Sequence, residues 1–264
     1  MEKNLRVMTF NIKNSHDFSN PKNIWPNRKD RVLKIIKKLK PDIIGLQEVY
    51  EDQLEFLSEN LPEYKYKGVG RDDGKRTGEF SPIFYRKLKT KNSGTFWLSD
   101  TPDKCSKTWG GLFRICTWIN FENSVPFAVY NTHFEDSESL IRLKSISLVI
   151  TRIKSQSPNQ PVILCGDLNF GRNSKEYAEL SQHFHDTYCI QNSKFRWAVT
   201  SHGFKGKKRS FLSWNGRNII DYIWVKGSIR VLDTRIVHDN PGKDLSIFPS
   251  DHWPVISDLT LKNL

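Results

Sequence analysis

The residues best suited to chemistry in this chain of 264 residues are acids, amides and histidines that follow short apolar runs. Gly166-Asp167-Leu168-Asn169 follows the apolar residues 162–165. A carboxylate and a carboxamide two residues apart at a strand end can converge on one point, and the glycine permits close backbone approach. An ordinary turn after a strand uses the same residue types, so this tetrapeptide alone leaves both interpretations open.

Glu48 and Asn11 also follow apolar runs. Glu48 comes directly after Gln47 at the end of the run at residues 43–46, where burial of a glutamate is unfavourable without a partner or a metal. A glutamate on a surface loop is the alternative. Asn11 ends the first apolar run, where an asparagine in a turn is the usual interpretation.

His252 lies in Ser250-Asp251-His252-Trp253-Pro254, immediately before another apolar run. Asp251 is a poor sole partner for His252, because successive side chains on a strand diverge. Asp221, inside the apolar residues 220–224, is the natural second carboxylate, since such a partner fixes the tautomer of an imidazole and raises its basicity. An acid at the edge of a strand is the alternative interpretation of Asp221.

His133 ends a further apolar run in Asn131-Thr132-His133-Phe134. A lone histidine there would be a core residue, but beside the other sites it becomes a candidate phosphate contact. The candidate ligands are hard oxygen donors, which favours Mg²⁺ or Mn²⁺ over Zn²⁺. Acids with two histidines, and no nucleophilic cysteine or serine motif, indicate metal-assisted attack by water.

The elements that would position these residues are mostly strands. Residue composition and alternation predict strands at residues 5–12, 42–49, 64–69, 82–85, 95–98, 115–121, 127–133, 161–165, 219–225, 229–237 and 255–261. Apolar spacings of three and four predict helices at residues 31–40, 52–60 and 174–182, and a fourth that follows Ser137 as its N-cap. Both long helices lead back to a strand, which indicates α/β layers with mixed sheets. Polar residues just past strand ends indicate a ligand site at that edge.

The chain is basic. Lysine and arginine total 41 and aspartate and glutamate total 29, so the net charge is +12 and the pI is near 9.5. This surplus suggests an anionic partner such as nucleic acid, a membrane surface or a phosphorylated small molecule, although solubility alone would also account for it.

The sequence also limits the class of protein. No run approaches the roughly 18 apolar residues of a membrane span, and residues 1–12 do not read as a signal peptide. The four cysteines lack the spacing of zinc sites, which favours free thiols and a cytoplasmic location. No linker or repeat divides the chain, so residues 1–264 are expected to form one catalytic domain, and no protein partner is evident.

Taken in order, six motifs resemble those of the endonuclease/exonuclease/phosphatase superfamily, which includes deoxyribonuclease-I-like nucleases, abasic-site endonucleases, deadenylases, inositol phosphatases and sphingomyelinases. They cover nearly the whole chain and are Thr9-Phe10-Asn11-Ile12, Leu46-Gln47-Glu48-Val49, Asn131-Thr132-His133, Gly166-Asp167-Leu168-Asn169, Ile220-Asp221-Tyr222-Ile223 and Ser250-Asp251-His252-Trp253-Pro254. Residues 68–74, 78–85 and 93–102 are similar to a bacterial branch whose substrate is often unassigned.

The resemblance implies an α/β four-layer sandwich, in which two packed mixed β-sheets are flanked by helices and the site lies at one edge. It implies that Glu48 and Asp251 bind the catalytic metal, with Asn11 beside them. Asp167 and Asn169 would orient the water and contact the phosphate. His252, paired with Asp221, is the candidate general base, although some accounts of the family give that task to the residue at Asp167.

Three further residues take their roles from the same resemblance. His133 would stabilise the developing phosphorane or help the leaving group. Glu79 falls where deoxyribonuclease-like members place a carboxylate partner for that histidine. Arg114 is a candidate phosphate contact, with an arginine at a strand edge as the alternative.

These observations favour a Mg²⁺- or Mn²⁺-dependent phosphodiesterase that acts on DNA or RNA. The segment Phe204-Lys205-Gly206-Lys207-Lys208-Arg209-Ser210-Phe211 interleaves basic and aromatic residues that could track a phosphate backbone and stack bases, or it is a solvated turn. The basic residues Lys22, Arg28 and Lys29 and those of the helix at residues 31–40 are expected to form a solvated face.

Two other functions remain open from the sequence. One is a phosphatase or phosphodiesterase for a small phosphorylated metabolite, inositol or lipid head group, whose basic residues would form a compact pocket in place of a long groove. The other is a non-catalytic binding protein on the same fold, which the presence of every expected acid and both histidines disfavours.

Overall fold

The structure is a computed structural model that describes residues 2–191, 198–206 and 219–262. Its strands are β1 Glu2–Asn11, β2 Ile43–Gln47, β3 Lys65–Lys67, β4 Ile83–Tyr85, β5 Thr90–Trp97, β6 Ile115–Phe121, β7 Phe127–His133, β8 Val162–Asp167, β9 His185–Asp186, β10 Asp221–Lys226, β11 Ile229–Ile236 and β12 Val255–Lys262. Its α-helices are α1 Trp25–Leu39, α2 Glu51–Asn60, α3 Ser139–Gln156, α4 Lys175–Ser181 and α5 Thr187–Gln191, and a 3₁₀ turn spans Pro21–Asn23.

The strands form two six-stranded sheets, ordered β11-β12-β1-β2-β4-β3 and β5-β6-β7-β8-β10-β9. Each sheet contains one parallel pair, β1 with β2 and β7 with β8, among antiparallel neighbours. Both sheets are therefore mixed, as predicted.

Three apolar clusters show how the layers stack. One cluster takes residues from both sheets, for example Val7 and Ile163, and so lies between them. A second lies between α3 and its sheet, and a third lies between α1, α2 and the other sheet. The order helices, sheet, sheet, helices confirms the four-layer sandwich. No helix in the described parts of the chain is long and apolar enough to cross a membrane.

Helix α1 begins at Trp25, six residues before the predicted start at residue 31. Pro26 lies in its first turn, where the missing N–H needs no partner, and this signal was not used in the prediction. The helix ends where Lys40 adopts a left-handed conformation and Pro41 follows, as predicted.

The prediction that Arg28 lies on a solvated face is wrong, and so is the prediction for Arg31 on the same helix. Arg28 is 1% exposed and Arg31 is 8% exposed, whereas Lys34, Lys37 and Lys38 of α1 are exposed. The Arg28 guanidinium donates hydrogen bonds to main-chain carbonyls of Ile12, Lys13, Asn14, Asn23 and Pro249. Five carbonyl acceptors offset the burial of the charge and tie the segment after β1 to the segment before β12.

Some other boundaries also differ from the predictions. Helix α3 has Glu138 at its N-cap, because the Ser137 hydroxyl donates to Glu135 and does not cap the helix. Strand β3 is three residues long, and β8 extends to Asp167. Strand β9 and helix α5 were not predicted, since two and five residues are too short for a periodic signal.

A buried polar contact joins the two sheets next to the strand ends. Gln47 Nε2 donates to Asn131 Oδ1 at 2.7 Å, and Asn131 Nδ2 donates to the carbonyls of Leu46 and Pro82 at 2.8 and 2.9 Å. A Cβ on Gly45 would lie 2.7 Å from Asn131 Oδ1, so only glycine leaves room for this contact. The contact fixes the distance between the sheets where they present their polar residues.

Candidate active site

Strand direction brings the predicted polar residues to one edge of the sandwich. The parallel strands β1 and β2 end at Asn11 and Gln47, and the parallel strands β7 and β8 end at His133 and Asp167. Strand β10 runs antiparallel to β8 and begins at Asp221, directly opposite Asp167. Strand β12 runs antiparallel to β1 and begins just after Asp251 and His252. The two sheets therefore contribute to one site.

Asn11 links the two sheets at this edge. Its Nδ2 donates to Glu48 Oε1 at 2.9 Å and to Asp167 Oδ2 at 3.0 Å. The other oxygen of Glu48 accepts from the backbone N and the Nδ2 of Asn14, at 3.3 and 2.9 Å. One amide thus holds a carboxylate of each sheet, and both oxygens of Glu48 are oriented.

His252 and Asp221 form the pair that the sequence predicts. His252 Nδ1 lies 2.8 Å from Asp221 Oδ2, and Asp167 Oδ2 lies 3.8 Å from the same nitrogen. Although burial opposes a charge on the imidazole, Asp221 raises the pKa of His252 well above its usual range. The contact leaves Nε2 as the nitrogen that can exchange a proton.

His133 is held by Asn169 on the other side of Asp167. Asn169 Nδ2 donates to His133 Nε2 at 3.1 Å and to the Phe134 carbonyl at 3.0 Å. This assignment puts the proton of the neutral imidazole on Nδ1, which has no hydrogen-bond partner in the described chain. Burial, followed by the nearby Arg114, holds the pKa of His133 well below its usual range.

The backbone is also unusual at this edge. Glu48 and Asn169 have φ values of 58° and 52°, in the left-handed region that non-glycine residues rarely adopt. A Cβ on Gly166, where φ is 151°, would lie 2.0 Å from the Thr132 carbonyl oxygen, so the close approach of β8 to β7 requires glycine, as predicted. Such conformations concentrate at sites that the rest of the fold holds in place.

Asp167 is a buried acid at the site whose pKa is strongly raised. Burial raises its pKa to about 7, and the neighbouring carboxylate of Asp221 adds to the effect. Its oxygens accept from Asn11 Nδ2 and from the backbone N of Asn169. Asp167 can therefore change its charge near neutral pH, as a general base must.

Asp167→Asn is expected to stabilise the metal-free protein at pH 8 and to change it little at pH 4. A raised folded pKa means that stability is fully present below the unfolded pKa and is lost as pH rises toward about 7. Asparagine cannot ionise, so the variant avoids this loss of stability, and its Tm at pH 8 should be higher by about 5 °C. Calorimetric melting of both proteins with a chelator tests this, and an equal shift at both pH values would contradict it.

Glu48 and Asp251 fit a divalent cation by the chemistry of their donor atoms. Burial raises the pKa of Asp251, and the negative charge of Glu48 raises it further. The ammonium of Lys13 lies 3.5 Å from Glu48 Oε2. Although burial opposes its ionisation, His133, Lys13 and the Asn11 hydrogen bond hold the pKa of Glu48 well below its usual range. Glu48 therefore offers a charged oxygen donor of the kind that a hard cation such as Mg²⁺ or Mn²⁺ prefers.

A different set of donors, which does not include Glu48 or Asp251, lies close together in the described part of the chain. One donor atom from each of Asp167, Asp221 and His252 lies within 4.8 Å of the others. Here, however, His252 Nδ1 is already hydrogen-bonded to Asp221. This occupancy favours proton transfer over metal binding for these three residues.

Glu79 does not contact His133 in the structure, contrary to the pairing that the resemblance implies. It forms an ion pair with Arg71 Nη1 within the hairpin at residues 70–79, where Arg71 N also donates to the Glu79 carbonyl at 3.1 Å. A guanidinium attracts a carboxylate more strongly than a neutral imidazole does. Burial is the main cause of the raised pKa of Glu79, and the negative charge of Glu48 raises it further. Glu79 therefore lies close to the site.

Arg114 lies directly before β6, at the edge of a strand, and its side chain is 5% exposed. Glu135 Oε2 and Asp136 Oδ1 are 3.9 and 3.8 Å away, which is too far for hydrogen bonds.

Neither Arg71 nor Asn14 was predicted to lie at the site, and the role of Arg28 was not predicted either. Asn14 follows Asn11 by three residues in the loop after β1, a signal that could have been used. Arg28 offered no signal, because its carbonyl partners come from three distant segments.

The sequence matches the Endonuclease/Exonuclease/phosphatase family over residues 8–252. An endonuclease/exonuclease/phosphatase family protein from Bacteroides thetaiotaomicron has a similar structure, with a TM-score of 0.88, 31% identity and full coverage of both chains. The mannosyl-6-phosphatase Bt3783 from the same species has a TM-score of 0.85 and 33% identity, with 97% of this chain and 99% of that chain covered.

The chain is also similar to uncharacterized protein L388 of Acanthamoeba polyphaga mimivirus, with 32% identity over 159 residues. That match spans 55% of this chain and 59% of the viral protein. The family match extends over nearly the whole chain and includes the strand ends that carry the site. The chain therefore belongs to the endonuclease/exonuclease/phosphatase family of phosphoester hydrolases.

Proposed function

We propose that the chain hydrolyses phosphate esters by attack of water on phosphorus, with the help of Mg²⁺ or Mn²⁺. The observation that carries this proposal is the hydrogen-bonded link from Glu48 through Asn11 to Asp167, with the His252–Asp221 pair beside it. It combines an oxygen-donor site for a cation with a proton acceptor. Members of the family generally use divalent ions.

Glu48 and Asp251 would hold the ion, with Asn11 beside them as the residue that orients Glu48. When bound, such an ion polarises a phosphoryl oxygen and offsets the negative charge that develops on it. Arg28 keeps the two segments that carry Asn11 and Asp251 in register through its carbonyl contacts.

Two residues compete for the role of general base. Asp221 fixes the ring of His252 and stabilises its imidazolium, so His252 accepts a proton at Nε2 only at a pH where the ring is neutral. Asp167 is the alternative, because its pKa of about 7 suits proton transfer near neutral pH. Asn169 and His133 would contact the phosphate, with Asn169 also orienting the imidazole of His133.

A nucleic acid is the first candidate substrate. The net charge of +12 supports it, since electrostatic attraction dominates binding to a polyanion. Most of the segment expected to contact a nucleic acid, namely Lys207, Lys208, Arg209, Ser210 and Phe211, lies outside the described residues.

A small phosphorylated molecule is the second candidate. Arg28 and Arg31 of α1 are buried and bound to groups of the protein itself, so they are not available to a polyanion. The mannosyl-6-phosphatase that shares 33% identity with this chain supports the same candidate. We further propose that residues 1–264 form one catalytic domain and that the protein is cytoplasmic.

The test is hydrolysis of a panel of phosphomonoesters and polynucleotides by the full chain, with Mg²⁺ or Mn²⁺ and after chelation. We expect turnover that requires the ion, and the panel identifies the substrate class. Cleavage that persists after complete removal of divalent ions would contradict the proposal.

A further inference from the structure

Arg71 and Arg114 are two largely buried arginines that take no part in the proposed metal site or in proton transfer. The Arg114 side chain is 5% exposed and that of Arg71 is 12% exposed. Among the described residues, Nε of each arginine and Nδ1 of His133 are buried without a hydrogen-bond partner. Buried donors are normally paired, so three such atoms in one region indicate a position for a bound acceptor.

The fold ties the main-chain carbonyls of the two arginines to adjacent residues at the end of β5. Trp97 Nε1 donates to the Arg71 carbonyl at 2.7 Å, and Leu98 N donates to the Arg114 carbonyl at 2.8 Å. Arg114 directly precedes β6, which pairs with β7, the strand that ends at His133. Both arginines thus belong to the wall that carries His133.

The carboxylates nearby leave these cations partly available. Glu79 is paired with one nitrogen of Arg71, and Asp72 Oδ1 lies 3.7 Å from its Nε, beyond hydrogen-bond distance. Glu135 and Asp136 likewise lie beyond hydrogen-bond distance of Arg114. Glu135 is instead engaged by the backbone N of Leu112 and by Ser137. Consistent with proximity, both arginines help burial to lower the pKa of His133.

We infer that Arg71 and Arg114, together with the Nδ1–H of His133, bind the non-bridging oxygens of a terminal phosphate, so that the substrate is a phosphomonoester. Guanidinium groups bind phosphate oxygens through paired, charge-assisted hydrogen bonds. A monoester offers three such oxygens and nearly two charges, whereas a diester offers two oxygens and one charge. Two guanidinium groups and an imidazole N–H match the three oxygens and the higher charge of the monoester more closely. This inference rests on the proposed function and names its substrate class.

The experiment compares wild type with Arg71→Gln and Arg114→Gln on p-nitrophenyl phosphate and bis(p-nitrophenyl) phosphate, with Mg²⁺ present. Each variant is expected to lose about 10- to 100-fold in kcat/KM on the monoester and less than about threefold on the diester. Arg114→Lys should recover part of the loss, because lysine restores the positive charge but lacks the paired N–H donors of a guanidinium. Equal losses on both esters, or no loss on the monoester, would overturn the inference.

Arg86→Gln is the matched control, because Arg86 is also a partly buried arginine but is bound to carbonyls at the opposite ends of the strands. Titration of each protein with inorganic phosphate and a chelator gives a readout independent of turnover. We expect the two site variants to bind phosphate at least about tenfold more weakly than wild type. Unchanged phosphate affinity in a variant with native circular dichroism would count against the pocket even if no ester is hydrolysed. Absence of hydrolysis by wild type would count only against the proposed function.

Discussion

Replacing His252 by alanine is expected to lower kcat for phosphate-ester hydrolysis by about 10³- to 10⁴-fold, with KM nearly unchanged. The imidazole is held by Asp221 at 2.8 Å, which orients its Nε2 for proton exchange with the attacking water once the ring is neutral. Its loss removes an interaction that matters in the transition state and little in the ground state. Steady-state kinetics at saturating Mg²⁺ measure the effect.

Two further variants test whether the loss of rate is specific to the imidazole of His252. Asp221→Asn should lose less than the alanine variant but still more than about tenfold, because the amide no longer stabilises the imidazolium. His183→Ala serves as the control, since His183 lies just after α4, where its side chain is 3.9 Å from Glu179. If His252→Ala keeps most of the rate and Asp167→Asn abolishes it, Asp167 is the base and the assignment of His252 is wrong.

Glu48→Gln is expected to weaken binding of Mg²⁺ or Mn²⁺ by about 100-fold or more and to abolish hydrolysis at ordinary ion concentrations. The amide keeps the shape of the side chain but loses its charge. It also turns an NH₂ group toward the donors of Asn11 or Asn14. Isothermal titration of the metal-free protein gives the affinity directly.

Glu122→Gln is the control for charge alone, because Glu122 is a surface acid paired with Lys89 at 3.0 Å. Its metal affinity should equal that of wild type. Wild-type affinity in Glu48→Gln would contradict the assignment and would point to Asp167, Asp221 and His252 as the ligands.

The strand ends and the His252–Asp221 pair were predictable because each rests on a local signal. An apolar run followed by an acid or an amide marks both the strand and its end, as at Asn11 and Asp167. The polar position of Asp221 within an apolar run indicated a buried partner for His252.

The arginines could not be assigned in the same way. Arg28 has the sequence context of an exposed helical residue, yet the carbonyls that it binds come from segments brought together only by the fold. Arg71 forms an ion pair with Glu79 in a hairpin whose sequence shows no periodic pattern of apolar residues. Net charge is a sum over the chain, so it does not show which arginines are buried and which face a substrate.

The most direct test of the central claim is hydrolysis of a phosphate ester in water enriched in ¹⁸O, with Mg²⁺ or Mn²⁺ supplied. If water attacks phosphorus at this site, one labelled oxygen appears in the phosphate product, none appears in the released alcohol, and chelation stops the reaction. Label in the alcohol, or incorporation at the same rate without divalent ions, would contradict the account.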